Sequence, residues 1–85
     1  MKTFNYVIKD ELGLHARPAG RMVKLVKAMS SKVWLTAGDR KADLTKMFAI
    51  MDLGVKQGNE ISVTAEGENE AADIEVLERF FHENF

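Results

Sequence analysis

Apolar and polar positions alternate from Thr3 to Ile8, which places Phe4, Tyr6 and Ile8 on one face of a strand. From Ala16 the period lengthens. Ala19, Met22, Val23, Val26 and Met29 recur at helical spacing, while Arg17, Arg21, Lys24 and Lys27 fall on other faces. Val33 to Thr36 reads as a second strand. Ala37-Gly38-Asp39-Arg40 then reads as a hairpin turn into a short strand near Lys41-Ala42-Asp43. A short helix from about Lys46 to Leu53 stops at Gly54, a residue suited to the left-handed position after a helix. Glu60 to Glu66 alternates again and Gly67 breaks it. Asn69 or Glu68 is then placed to cap a last helix whose Ala71, Ile74, Leu77 and Phe81 face inward.

The resulting order is β-α-β-β-α-β-α. Short strands with one apolar face predict an α+β architecture, an antiparallel sheet covered by helices on one side. Eighty-five residues suffice for one small domain, spanning 1–85, and not for two. The chain has no cysteine, which removes disulfides, thiol nucleophiles and thiolate metal sites. No apolar stretch approaches the roughly 20 residues of a membrane span, and Lys2, Asn5 and Lys9 interrupt any secretory signal. A soluble cytoplasmic protein with no membrane insertion is the expectation, and nothing in the pattern points to an obligate dimer, so a monomer is expected.

The net charge of −1 conceals an asymmetry. Residues 1–58 hold eleven Lys or Arg against five Asp or Glu, a balance of +6; residues 59–85 hold one arginine against eight acids, a balance of −7. The basic part suits an acidic partner surface or a phosphate, and the acidic end reads as a solvated helix face. No nucleic-acid partner is expected, because the basic residues are not interleaved with exposed aromatics.

The chemistry concentrates in Gly13-Leu14-His15-Ala16-Arg17-Pro18-Ala19-Gly20. A lone histidine at a helix start is most simply a surface cap. Here its neighbours add to it. A dianionic phosphoryl group bonded to the ring would meet free backbone N–H groups, the positive end of the helix dipole and the Arg17 guanidinium. Gly13 permits a tight turn before the helix, and Pro18 fits a first helical turn, where its missing N–H is no loss. Imidazole is an apt carrier: it is unprotonated often enough near neutral pH to attack, and the P–N bond it forms remains reactive. No serine–histidine–carboxylate set is evident, and two histidines without cysteine form a poor zinc site, so no metal, cofactor or independent catalytic centre is expected. His82, near the end of the last helix, reads as a favourable charge at a helix C-terminus.

Gly13-Leu14-His15-Ala16-Arg17-Pro18-Ala19 resembles the active-site signature of the HPr family, the histidine phosphocarriers of the bacterial phosphoenolpyruvate-dependent sugar phosphotransferase system. Lys46 to Val55 followed by Gln57-Gly58 resembles the family's second surface, and Ile61 to Gly67 with the acidic helix resembles its last strand and helix. The resemblance spans essentially the whole chain. It implies an open-faced β-sandwich, with a four-stranded antiparallel sheet covered on one side by three helices. It implies a phosphoryl group carried on Nδ1 of His15, with Arg17 and the backbone N–H groups of Ala16 and Arg17 in contact with it. Enzyme I would be the donor and IIA domains of sugar permeases the acceptors; the chain would be a carrier and not an enzyme.

Met47, Phe48 and Met51 are spaced so that Ile50 and Leu53 can take the buried face of the short helix. The resemblance makes that patch a docking surface, which methionines suit because they adapt to several partner shapes. Arg21, Lys24 and Lys27 would rim it with positive charge. Position 46 departs from the family. Gram-positive relatives carry there a serine that a kinase phosphorylates, and this chain has Lys46, so no regulatory serine is expected. Thr45 is a hydroxyl next door and a candidate N-cap; neither it nor Ser30 or Ser31 inherits that role. Lys46 opposes the helix dipole by about 0.3–1 kcal/mol, and is either a tolerated surface residue or an aid to docking. Two further uses are compatible with the residues: a carrier in a dedicated regulatory phosphorelay, and a binding module acting through the Met47, Phe48 and Met51 patch without phosphoryl transfer.

Overall fold

A computed structural model describes residues 1–85. The elements follow the expected order: β1 (Lys2–Val7), α1 (Ala16–Lys27), β2 (Lys32–Ala37), β3 (Arg40–Asp43), α2 (Met47–Asp52), β4 (Glu60–Glu66) and α3 (Glu70–Asn84). The four strands form one sheet in the order β1-β4-β2-β3, and every neighbouring pair is antiparallel. Together with the three helices this is the open-faced architecture that the resemblance implies.

Register explains which face the helices cover. Phe4 lies opposite Val63, Tyr6 opposite Ile61, and Leu35 opposite both Val63 and Ala42, so these apolar residues share one side of the sheet and are buried. The alternate residues Thr3, Thr64, Trp34 and Asp43 form a row on the other side. There the Thr3 and Thr64 hydroxyls lie 2.9 Å apart, and the Lys41 Nζ sits 4.8 Å from the Trp34 ring. The hairpin joins Ala37 to Arg40 through Gly38-Asp39, with Gly38 at φ 63° in the first turn position.

The core is an aromatic cluster set into aliphatic side chains. The Phe81 ring meets those of Phe4 at 5.6 Å and Tyr6 at 5.9 Å edge-on, and that of Phe85 at 5.1 Å. Phe81 is fully buried, so truncating it to alanine removes transfer and packing terms worth about 3–5 kcal/mol. Ala19, Met22 and Val26 of α1 and Leu77 of α3 fill the space above the sheet.

Three local expectations need correction. Thr45 is not the N-cap of α2; Lys46 is, with φ −113° and ψ 96°, and no side chain caps this helix. The Thr45 hydroxyl and N–H both donate to Asp43 Oδ1, at 2.7 and 2.8 Å, because a carboxylate two residues back is within closer reach than the helix start. Ala71 is exposed, not inward, since α3 turns Ile74, Leu77 and Phe81 toward the sheet and leaves its first turn outside. Asn69 holds the N-cap position of α3, yet its amide donates to the Ser30 hydroxyl at 3.0 Å instead of capping.

Candidate functional site

The segment between β1 and α1 is fastened to the rest of the molecule before it reaches the helix. The carbonyl oxygen of Phe85 accepts the N–H groups of Lys9 and Asp10 at 2.6 and 2.8 Å. Gln57 Nε2 donates to the Lys9 carbonyl at 3.1 Å, and the Leu14 N–H donates to the Val55 carbonyl at 3.1 Å. Gly13 sits between these ties at φ 66°, and its N–H donates to the Asp10 carbonyl at 2.9 Å. A Cβ on Gly13 would lie 2.4 Å from the Val55 oxygen, so both its torsion and its surroundings demand glycine.

His15 follows at the N-cap of α1 in an extended conformation, φ −92° and ψ 167°. Its side chain makes no capping bond, and its carbonyl accepts the Ala19 N–H at 3.1 Å. The N–H groups of Ala16 and Arg17 have no partner in the protein, and Pro18 has no N–H to offer. Two donors and the dipole of a 12-residue helix therefore converge beside the imidazole. Pro18 and Ala19 are buried and anchor that turn.

The ring itself is half-buried and held from two sides. Its Nε2 lies 3.3 Å from Asp10 Oδ2, and its centroid lies 6.4 Å from that of the Phe85 ring, the two planes nearly perpendicular. Asp10 Oδ1 accepts the Leu12 N–H at 2.8 Å. That backbone bond is the main reason the Asp10 carboxyl is held below its ordinary value of 3.8, with His15 a smaller cause. Sequence reasoning missed Asp10 and Phe85 as neighbours of His15. The spacing of Asp10 to Gly13 was a usable turn signal; the return of Phe85 was not, because it depends on the docking of α3.

Arg17 is exposed, and its guanidinium is in no ion pair. With Gly20, Arg21, Val23, Lys24 and Lys27 it lines a shallow basic groove along α1. The helix α2 packs beside α1. It buries Ile50, half-buries Met47, Met51 and Leu53, and leaves Phe48 90% exposed. Phe48, Ala49, Met51 and Asp52 line an open concavity. Phe48 with the half-buried Met47 and Met51 leaves an apolar patch on this face of the domain. Lys46 stands at the start of the same helix and is exposed. His82 packs its ring at 5.0 Å from that of Tyr6 in the last turn of α3.

A family profile described as the PTS HPr component phosphorylation site matches residues 2–83. The chain belongs to the HPr family. The HPr phosphocarrier of Lysinibacillus sphaericus is 34% identical over 77 residues, covering 91% of this chain and 88% of that protein. The crystal structure of HPr-C-His from Thermoanaerobacter tengcongensis superimposes with a TM-score of 0.90 at 36% identity, covering 96% of this chain and 92% of that one. An HPr dimer from the same organism gives a TM-score of 0.68 at 35% identity, covering 94% of this chain and 98% of that one. Membership of this family makes the chain a phosphocarrier of the phosphotransferase system. No helix of the structure is long and apolar enough to cross a membrane.

Proposed function

We propose that residues 1–85 act as one phosphocarrier unit, which takes a phosphoryl group onto Nδ1 of His15 from enzyme I and yields it to IIA domains of sugar permeases. The observation that carries this reading is the imidazole at the α1 N-terminus beside two unpartnered N–H groups and an unpaired Arg17. Those donors and the guanidinium would take the phosphoryl oxygens, each charge-assisted contact contributing about 1.5–3 kcal/mol. The chain supplies no second reactive group of its own to this step, so catalysis belongs to the partners. Phe48, Met47 and Met51 would form the apolar centre of the docking surface, and Arg21, Lys24, Lys27 and Lys46 its basic rim. The carrier would work in the cytoplasm, as a monomer that meets one partner at a time.

Incubation with enzyme I, magnesium and phosphoenolpyruvate, followed by intact mass, tests this reading. One added phosphoryl group that is lost in acid and absent from His15→Ala is the expected result. An unmodified wild-type chain would overturn the carrier role and leave the Met47, Phe48 and Met51 patch as a binding surface alone.

A further inference from the structure

Asp10 is the one charged side chain that touches the His15 ring, with Oδ2 at 3.3 Å from Nε2. Its place does not depend on that contact. Oδ1 is bonded to the Leu12 N–H, the Asp10 N–H to the Phe85 carbonyl, and the Asp10 carbonyl to the Gly13 N–H. The carboxylate is thus built into a turn and presented to the imidazole by it. An ionised carboxylate accepts hydrogen bonds and cannot donate them. Nε2 must therefore be the N–H nitrogen in this contact, which leaves the lone pair of the neutral ring on Nδ1.

We propose that Asp10 is a positioning residue for phosphoryl acceptance: it holds Nε2–H and thereby presents the Nδ1 lone pair to the incoming group. This rests on reading His15 as the phosphoryl acceptor. In the step, the Nδ1 lone pair forms the new N–P bond while the bond from phosphorus to the donor breaks, and its electron pair leaves with the donor. The ring loses no proton. Nε2–H stays in place, the ring becomes cationic, and that charge develops against the Asp10 carboxylate. Arg17 and the first N–H groups of α1 serve the other end, at the phosphoryl oxygens. The two nitrogens point to different sides of the imidazole, so carboxylate and phosphate are kept apart.

Two substitutions at this position separate positioning from mere support. Asp10→Asn keeps an oxygen for the Leu12 N–H, and so keeps the turn, but puts an amide N–H₂ where Oδ2 stood. Facing that donor, Nε2 becomes the acceptor and the ring proton moves to Nδ1, where it blocks attack. Asp10→Ala loses the Leu12 bond, keeps only the backbone bonds of the turn, and leaves the tautomer unenforced. The expected kcat for phosphorylation by enzyme I with phosphoenolpyruvate falls about tenfold in Asp10→Asn and about threefold in Asp10→Ala, with KM for the carrier unchanged. ¹⁵N spectra of the unphosphorylated, neutral ring are expected to show Nε2–H in the wild type and Nδ1–H in Asp10→Asn. A purely structural role gives the opposite order, with Asp10→Asn close to wild type and Asp10→Ala the poorer. That order, or an unchanged tautomer in Asp10→Asn, overturns the proposal. Failure of the carrier reading looks different, because then the wild type itself takes up no phosphate while the tautomer is still measurable.

Discussion

The entries to α1 and α2 are built on the same plan and furnished with opposite chemistry. Each begins with an aspartate whose Oδ1 accepts the N–H two residues on at 2.8 Å, Asp10 from Leu12 and Asp43 from Thr45. Each continues into an extended N-cap residue whose side chain makes no capping bond, and neither helix has an acidic residue in its first turn. The difference lies in what stands at the cap and what the second carboxylate oxygen does. At α1 the cap is an imidazole, and Asp10 Oδ2 reaches its ring. At α2 the cap is Lys46, which places a cation where the dipole is already positive, and Asp43 spends its Oδ1 a second time on the Thr45 hydroxyl. Unsatisfied N–H groups at a helix start are therefore common to both, and under the proposed function it is the imidazole with its polar supports that would set α1 apart as the phosphoryl site.

The sharpest break in this comparison is His15→Ala, which is expected to abolish phosphoryl uptake while changing stability by less than about 1 kcal/mol, as read by intact mass and urea unfolding. Next come the two glycines that bracket the pair. Gly13 and Gly54 share nearly the same φ, 66° and 63°, but a Cβ meets the Val55 oxygen at Gly13 and open space at Gly54. Gly13→Ala is expected to cost about 3 kcal/mol and to slow uptake by shifting the loop that carries Asp10; Gly54→Ala costs about 1 kcal/mol and leaves uptake intact.

Much of this plan was legible in the chain and some was not. Alternation fixed the inward faces of β1 and β4, and helical spacing singled out Ala19, Met22 and Val26, because burial on one face leaves a periodic trace. The Gly13-to-Gly20 run marked the site for a local reason, since helix entry, cap and arginine are contiguous. Asp10 escaped notice because its value lies in a single distance to His15, which composition does not encode. The Thr45 hydroxyl has two local partners open to it, the helix start and Asp43, and it bonds Asp43. Spacing alone places Ala71 inward, but it lies exposed in the first turn of α3.

Smaller effects sharpen the contrast. Lys46→Asp supplies a capping carboxylate and removes the charge clash, and is expected to raise stability by about 1 kcal/mol in urea unfolding. It should not create a phosphoryl site at α2, and it should raise KM for an acidic partner by weakening the basic rim. The least effect at neutral pH concerns the turns themselves. The Thr45 N–H, followed by its hydroxyl, holds the Asp43 carboxyl below its ordinary value of 3.8. A carboxyl depressed in the folded state contributes stability that is complete above its unfolded value and is lost as pH falls through its folded value. Asp43→Ala should therefore be less stable than wild type at pH 7, and the gap in urea midpoints should narrow as the pH falls below the ordinary value of 3.8. Asp10 and Glu70, depressed in the same direction, add to the same acid-side loss.

Under the proposed function the phosphoryl group is held at the α1 entry, on Nδ1 of His15. The most direct measurement is ¹⁵N NMR of the imidazole nitrogens after phosphorylation with enzyme I and phosphoenolpyruvate. A phosphorus-bonded Nδ1 at His15, with His82 unchanged, is the expected result. Phosphate on Nε2 of His15, or on His82, would contradict that assignment.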